Sequence, residues 1–260
     1  MGSIDTSSGT MSNGNSQLDN TIGESDRAET RSHERPVLRV GIIGCGEIAQ
    51  VVHIPTLNFL SRRFQVTYLC DISQQSLEHC AKKVAGAAPT ITTNAEELCS
   101  SPNVDVVLIA NADAYHVAHG IIALKHNKYC LIEKPVALCF RDLDLLVEAE
   151  KQSKGKVFVG TMRRFATAFL DAVEEVGGFE KLQYARVRDI IGPNAVFVDQ
   201  SGTFPEKFTD FSEADGQDRL NRETDIFEQA LRNEFDVPVT PESKRMLRVL
   251  GGSAHIPIRD

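Results

Sequence analysis

Two short stretches of this 260-residue chain carry residue types that can do chemistry. The first is Gly44-Cys45-Gly46-Glu47-Ile48-Ala49, a GxGxxA spacing. It directly follows the apolar run VLRVGII and opens the helical spacing of GEIAQVVHIPTLNFL. Between a strand and a helix, this spacing suits a dinucleotide. Gly44 permits the tight turn, Gly46 lets the backbone approach a pyrophosphate, and Ala49 lets the helix pack close. Free amides at the helix start favour the anion. Gly44, Cys45, Gly46, Glu47 and Ile48 are therefore candidate cofactor contacts. The plain alternative is a tight strand–helix turn with no nucleotide.

The second stretch is KYCLIEKPVAL, Lys128 to Leu138. An apolar run ends in Glu133 and Lys134, and a second apolar run follows Pro135. An uncompensated charge in a dry interior is costly, so a charged pair at the end of a buried strand needs either solvent or a use.

Asp71 ends the run FQVTYLC, 25 residues past Gly46. A carboxylate near this position bonds a ribose 2′-hydroxyl in dinucleotide sites. It favours NAD over NADP, because it would repel a 2′-phosphate. Arg62 and Arg63 precede this strand and are badly placed to offset that repulsion.

These residues must be positioned by regular elements. Between Pro36 and Gly160, apolar strand-like runs alternate with helical spacings: FQVTYLC, SQQSLEHCAKKVAG, PTIT, NAEELCS, VDVVLIA, AYHVAHGIIALKHN, KYCLIE, FRDLDLLVEAEKQSKG and KVFVG. Ser73 is the expected N-cap of the second of these, with Gly86 at its end. Such alternation specifies βαβ units and a parallel sheet covered on both faces. Near-continuous apolar strands agree with burial on both sides.

The predicted organisation is a disordered polar tail over 1–35, a dinucleotide-binding domain over 36–160 and a partial α+β substrate domain over 161–260. In the last part a helix precedes Gly177, and KLQYARVRDII reads as a half-exposed strand. Gly192 to Asp218 reads as a long loop. DRLNRETDIFEQALRNEF and SKRMLRVL read as helices.

Composition bounds the partners. The net charge is −8, which repels nucleic-acid backbones and anionic lipid. No apolar run approaches 18 residues, and no apolar leader stands near the start. The six cysteines form no CxxC pair and no zinc spacing, so reduced core thiols in a cytoplasmic protein are expected, with no metal.

The segments VGIIGCGEIAQVVHIPTL, VDVVLIANADAYHVAHGIIALKHNKYCLIEKPVAL and KVFVGTMRRF resemble the Gfo/Idh/MocA family of glucose–fructose oxidoreductase and inositol dehydrogenase. The resemblance covers Pro36 to about Arg164 and fades beyond. It implies an NAD(P)-binding Rossmann domain and hydride transfer between nicotinamide and a secondary alcohol or carbonyl of a sugar, polyol or cyclic diol. It places Glu133, Lys134 and Pro135 beside the nicotinamide, the proline often cis. Lys134, partly desolvated, would bond the substrate hydroxyl and assist proton transfer.

The resemblance also puts Ala110, Asn111, Asp113 and His116 near the nicotinamide ribose, with Ala112 where the family has proline. His116 is a further catalytic candidate, and a helix-start structural histidine is its alternative. Arg163 and Arg164 are candidate substrate contacts, or a solvated helix start. The family carries a downstream catalytic histidine after a Gly-Gly segment. Here RVLGG is followed by SAHIPIRD, and His255 is the candidate in that place, although a flexible tail holds a catalytic group poorly. A replaced or truncated terminus is expected. That leaves an alternative to catalysis: a silent nucleotide-binding isoform or a cofactor-sensing regulator. A homo-oligomer fits the resemblance but is weakened by the short second part.

Overall fold

The computed structural model describes residues 36–184, 186 and 194–253. Six parallel strands form its sheet: β1 (Leu38–Ile43), β2 (Phe64–Cys70), β3 (Thr90–Thr92), β4 (Val106–Ile109), β5 (Tyr129–Ile132) and β6 (Val157–Val159). Their order is β3-β2-β1-β4-β5-β6, and every pairing is parallel. This is a Rossmann-type doubly wound sheet. The order reverses between β1 and β4, and ligands of such sheets bind in the crevice beyond the carboxyl ends of those two strands.

Alternate strand residues feed two cores, as the period of two demands. Ile42, Leu69 and Leu108 face one side and pack with Ile54, Leu77 and Cys80. Ile43, Val107, Ile109 and Ile132 face the other and pack with Leu98, Leu124 and Leu146. The second group of partners lies on α3 (Ala95–Ser100), α4 (His116–Lys125) and α5 (Phe140–Lys151). All six cysteines are buried and unpaired.

After β1 the chain makes a π-helical turn, Ala49–His53, and continues as α1, Ile54–Phe59. Helix α2 spans Gln74–Lys83, with the Ser73 hydroxyl accepting from the Ser76 N–H at 2.9 Å. It stops three residues short of Gly86, which has φ +90° in the following turn. Asn94 caps α3 through the N–H groups of Glu96 and Glu97.

Beyond β6 come α6 (Thr167–Val176), α7 (Asn194–Gln200), α8 (Glu213–Asn233) and α9 (Pro241–Ser253). Gly177, with φ +83°, closes α6 as expected. The predicted loop over 192–218 instead contains α7 and the start of α8. Ser212 and Asp215 form a capping box that begins α8 upstream of its apolar spacing. The predicted strand KLQYARVRDII lies largely outside the described residues. Its first residue closes the 3-10 turn Phe179–Lys181, and Leu182–Tyr184 adopt no strand. Among the described residues, everything after β6 is helix, turn or irregular chain. The tail over 1–35 and His255 also lie outside the described residues. Among the described residues, no helix is long and apolar enough to cross a membrane.

Candidate cofactor and active site

The glycine loop sits at the carboxyl end of β1, beside β4. Gly44 has φ +101°, and a Cβ there would lie 2.5 Å from the Asn111 amide nitrogen. Only glycine fits both the left-handed turn and that close approach. Gly46 has open space above it, with no atom within 4 Å of a would-be Cβ. Cys45 is buried, so it offers a cofactor its backbone only. Ile48 is exposed at the helix start. Glu47 is held by the Asn194 amide at 2.8 Å and by Lys207 at 3.8 Å.

Asp71 lies directly after β2, under the loop. Its carboxylate accepts from the Cys45 N–H at 2.7 Å and from the Ser73 N–H at 2.9 Å. These two bonds fix its rotamer. Each carboxylate oxygen retains a lone pair for a further donor.

The loop after β4 forms the opposite wall. Ala110 is buried, its N–H bonded to the Ile43 carbonyl at 2.8 Å. The Asn111 amide Nδ2 contacts His119 Nδ1 at 3.0 Å, while its Oδ1 is buried without a partner. Burying an acceptor unpaired is costly, and that oxygen has no partner among the described residues. Burial, chiefly, then the nearby Arg222 charge, pushes His119 down to about 4. His119 is therefore neutral at pH 7 and can accept from the Asn111 amide.

His116 is buried, with its ring nitrogens at 2.8 Å from the Pro135 carbonyl and 3.1 Å from the Asn111 carbonyl. A neutral imidazole has one N–H, so it can donate to one of these two carbonyls. Its ring lies between the β4 loop and the turn after β5. Asp113 lies in the 3-10 turn that precedes α4.

At the end of β5, Glu133 donates its N–H to the Ile109 carbonyl at 2.9 Å, and the Lys134–Pro135 peptide is cis. His53 Nε2 meets Glu133 Oε1 at 2.8 Å. Burial acts to raise the Glu133 carboxyl. The His53 hydrogen bond and charge, with the Lys134 amide, outweigh it and hold the group below its ordinary range. Lys134 is exposed. No ion pair engages its ammonium among the described residues. Arg163 and Arg164 lie in the 3-10 turn Met162–Phe165 after β6, with the Arg164 guanidinium 5.4 Å from the centre of the Phe165 ring.

A strap crosses this half of the domain. Buried Gln50 donates to the carbonyls of Cys45 and Glu206 at 3.0 Å each and accepts the Glu206 N–H at 2.9 Å. Lys83 donates to the carbonyls of Thr203 and Phe204. His79 packs on Phe208, ring centres 5.4 Å apart. Asp210 accepts from the Ser73 hydroxyl and from the Gln75 N–H, the latter at 3.0 Å. Residues 203–210 thus run along α2 from its end to its start. Gln50, His53 and Asp210 escape the sequence analysis because each acts through a partner far away in the chain, and no spacing signals such a pair; His119 escapes it because its partner Asn111, eight residues earlier, is reached only through the turn that precedes α4.

Residues 38–161 match the model of the GFO/IDH/MocA oxidoreductase family with its NAD-binding Rossmann fold. Over these residues the chain is similar to the Gfo/Idh/MocA family. An inositol 2-dehydrogenase of Cereibacter sphaeroides is 34% identical over 142 residues, covering 54% of this chain and 41% of that protein. A 1-carboxy-3-chloro-3,4-dihydroxycyclohexa-1,5-diene dehydrogenase of Comamonas testosteroni is 29% identical over 157 residues, 60% of this chain and 38% of that one. The crystal structure of a Lactobacillus casei myo-inositol dehydrogenase in complex with NAD(H) and myo-inositol superposes with a TM-score of 0.51 at 25% identity. It covers 54% of this chain and 41% of that chain. The chain thus spans 38–41% of these relatives' own lengths. The match falls on the cofactor domain, which is where the site geometry is built.

Proposed function

We propose that the protein is a nicotinamide-dependent oxidoreductase of sugars, polyols or cyclic diols. The observation that carries this reading is the open glycine loop at the carboxyl end of β1, bonded to Asp71 at the end of β2, in a sheet whose order reverses between β1 and β4. The turn of Gly44, Cys45 and Gly46 would let the pyrophosphate approach the helix start at Glu47 and Ile48, Asp71 would bond the adenosine ribose, and Asn111 would lie near the nicotinamide ribose. When bound, the nicotinamide supplies the acceptor for a hydride from a secondary alcohol carbon. Lys134 Nζ, at the end of β5, would hydrogen-bond the substrate oxygen and steady the negative charge that grows there as its proton leaves. Arg163 and Arg164 would contact the hydroxyls of a polyol. The names of the relatives support a small polyhydroxylated substrate, and Asp71 favours NAD. The six unpaired thiols suit a reducing, cytoplasmic setting.

Titration of the full chain with NADH, followed by a turnover assay on a panel of polyols, tests the reading. Lys134→Ala should abolish turnover and leave NADH binding intact. Unchanged turnover in that variant overturns the role of Lys134.

A second reading is favoured by one observation: Lys134 is exposed, and no carboxylate or histidine pairs with its ammonium among the described residues. It is a nucleotide-binding protein that senses the cofactor without turning over substrate. NADH binding with no turnover on any polyol would select it.

A further inference from the structure

Ser73 is held by two carboxylates from distant parts of the chain. Its backbone N–H bonds Asp71 Oδ1 at 2.9 Å, and its hydroxyl donates to Asp210 Oδ1. The second oxygen of Asp210 accepts the Gln75 N–H at 3.0 Å. The donors that open α2 are therefore already taken by an anion of the chain's own. Those hydrogen bonds also hold the Asp210 carboxyl below its usual range, so it is charged at neutral pH. Among the described residues neither carboxylate pairs with a basic side chain. The nearby Lys83 is turned to the Thr203 and Phe204 carbonyls, and Lys207 lies 3.8 Å from Glu47.

We propose that Asp210 is a specificity-determining residue that excludes a 2′-phosphorylated dinucleotide from this site, and this rests on the dinucleotide reading given above. Asp71 is the residue such sheets use for the ribose 2′-hydroxyl. A phosphate on that hydroxyl would extend toward the start of α2, beside Ser73. It would meet no free donor from Ser73 Oγ or the Gln75 amide, and it would face two carboxylates. Asp71 alone offers repulsion that an adjoining hydroxyl and amide can offset. Asp210 removes that offset by taking both groups and adds a second negative charge. The strap fixes it there: Gln50 clamps both polar groups of the Glu206 peptide backbone, four residues earlier. The carboxylate proposed to repel the phosphate thus lies 139 positions after Asp71 in sequence, outside the segment that matches the family model.

The test is coenzyme binding to the full chain, read by fluorescence for NADH and NADPH side by side. The wild-type chain should bind NADH at least ~10-fold more tightly than NADPH, the scale of one screened unit-charge repulsion at contact range. Asp210→Asn keeps the side-chain shape and removes the charge. It should tighten NADPH several-fold and leave NADH within about twofold. Asp210→Ala also frees Ser73 and Gln75 and should tighten NADPH further. A measurement on the wild-type chain guards against variants that fold poorly. Raising the salt from ~0.02 to ~0.5 M should narrow the NADH-to-NADPH affinity ratio, because screening weakens the repulsion. Equal affinities in the wild type, or a ratio unmoved both by salt and by the two variants while NADH still binds, overturn the role of Asp210 and leave the dinucleotide reading standing. A wild-type chain that binds neither coenzyme overturns that reading and this inference together.

Discussion

His53 Nε2 lies 2.8 Å from Glu133 Oε1, and this pair joins the helix that follows the glycine loop to the end of β5. It links the cofactor loop to the residue next to Lys134. Glu133 titrates below its ordinary value of 4.5 in the folded chain. A carboxyl of this kind stabilises the fold above its unfolded value, and the contribution is lost as pH falls through the lower folded value. Stability of the wild-type chain should therefore drop as pH falls below about 4.5, and Glu133→Gln should flatten that part of the profile. At pH 7, His53→Ala should cost about 1–3 kcal/mol, since it strands a half-buried carboxylate. Urea unfolding as a function of pH measures both.

Gly44→Ala and Gly46→Ala should separate folding from binding. At Gly44 the φ of +101° and the 2.5 Å approach to the Asn111 nitrogen leave no room for a methyl group. That variant should unfold at lower temperature and lose NADH binding. At Gly46 a methyl meets nothing within 4 Å. That variant should melt like the wild type and still bind NADH at least ~10-fold more weakly, because the methyl projects where a pyrophosphate would approach. Thermal melting beside an NADH titration distinguishes the two.

His119 supplies a second pH signature. Its folded value of about 4 lies below the ordinary 6.5. Between these values the unfolded chain binds a proton that the folded chain does not, so stability is full above about 6.5 and is lost on acidification toward 4. The loss amounts to roughly 3 kcal/mol at most. His119→Gln, which cannot take up that proton, should remove this slope. Unfolding midpoints in urea at pH 7, 6, 5 and 4 show whether it does.

Gln50 should govern the strap. Gln50→Ala deletes three hydrogen bonds and leaves the Glu206 backbone and the Cys45 carbonyl without that partner. The expected cost is about 1–3 kcal/mol. The more telling readout is limited proteolysis: cleavage between Ser201 and Phe211 should appear in the variant well before the sheet domain is cut. An unchanged digestion pattern would argue against the clamp.

The sequence announces what acts locally. GxGxxA, the Asp71 strand end and the continuous apolar strands are short-range signals, and each maps onto the β1/β4 crevice of an all-parallel sheet. Capping at Ser73 and the αL turn at Gly177 are equally local. The capping box of Ser212 and Asp215 is present in the sequence as well, but acidic and polar residues without apolar period read as loop up to Asp218, where the helical spacing becomes visible. Contacts between distant residues leave no such trace. His53 meets Glu133 across 80 residues, and His116 turns both ring nitrogens onto carbonyls brought to it by folding. A histidine at a helix start has the same local sequence whether it faces substrate or backbone. Only the tertiary arrangement distinguishes the two.

Asp210 has a counterpart at the other end of α8. Glu234 accepts the N–H groups of Phe140 and Arg141 at the start of α5, at 3.0 and 2.8 Å. Helices α2 and α5 lie on opposite faces of the sheet, and α8, about 30 Å long at 1.5 Å per residue, runs between the two attachments. Its C-terminal half packs on Ala114 and Cys139 through Ile226 and Ala230, with Arg222 over the Tyr115 ring at 4.7 Å. The arrangement is a chelate: one rigid ligand gripping two sites on one body. While either end holds, the other rebinds at high effective concentration. Breaking one carboxylate contact should therefore loosen the helix only slightly, whereas breaking both should release it as a unit.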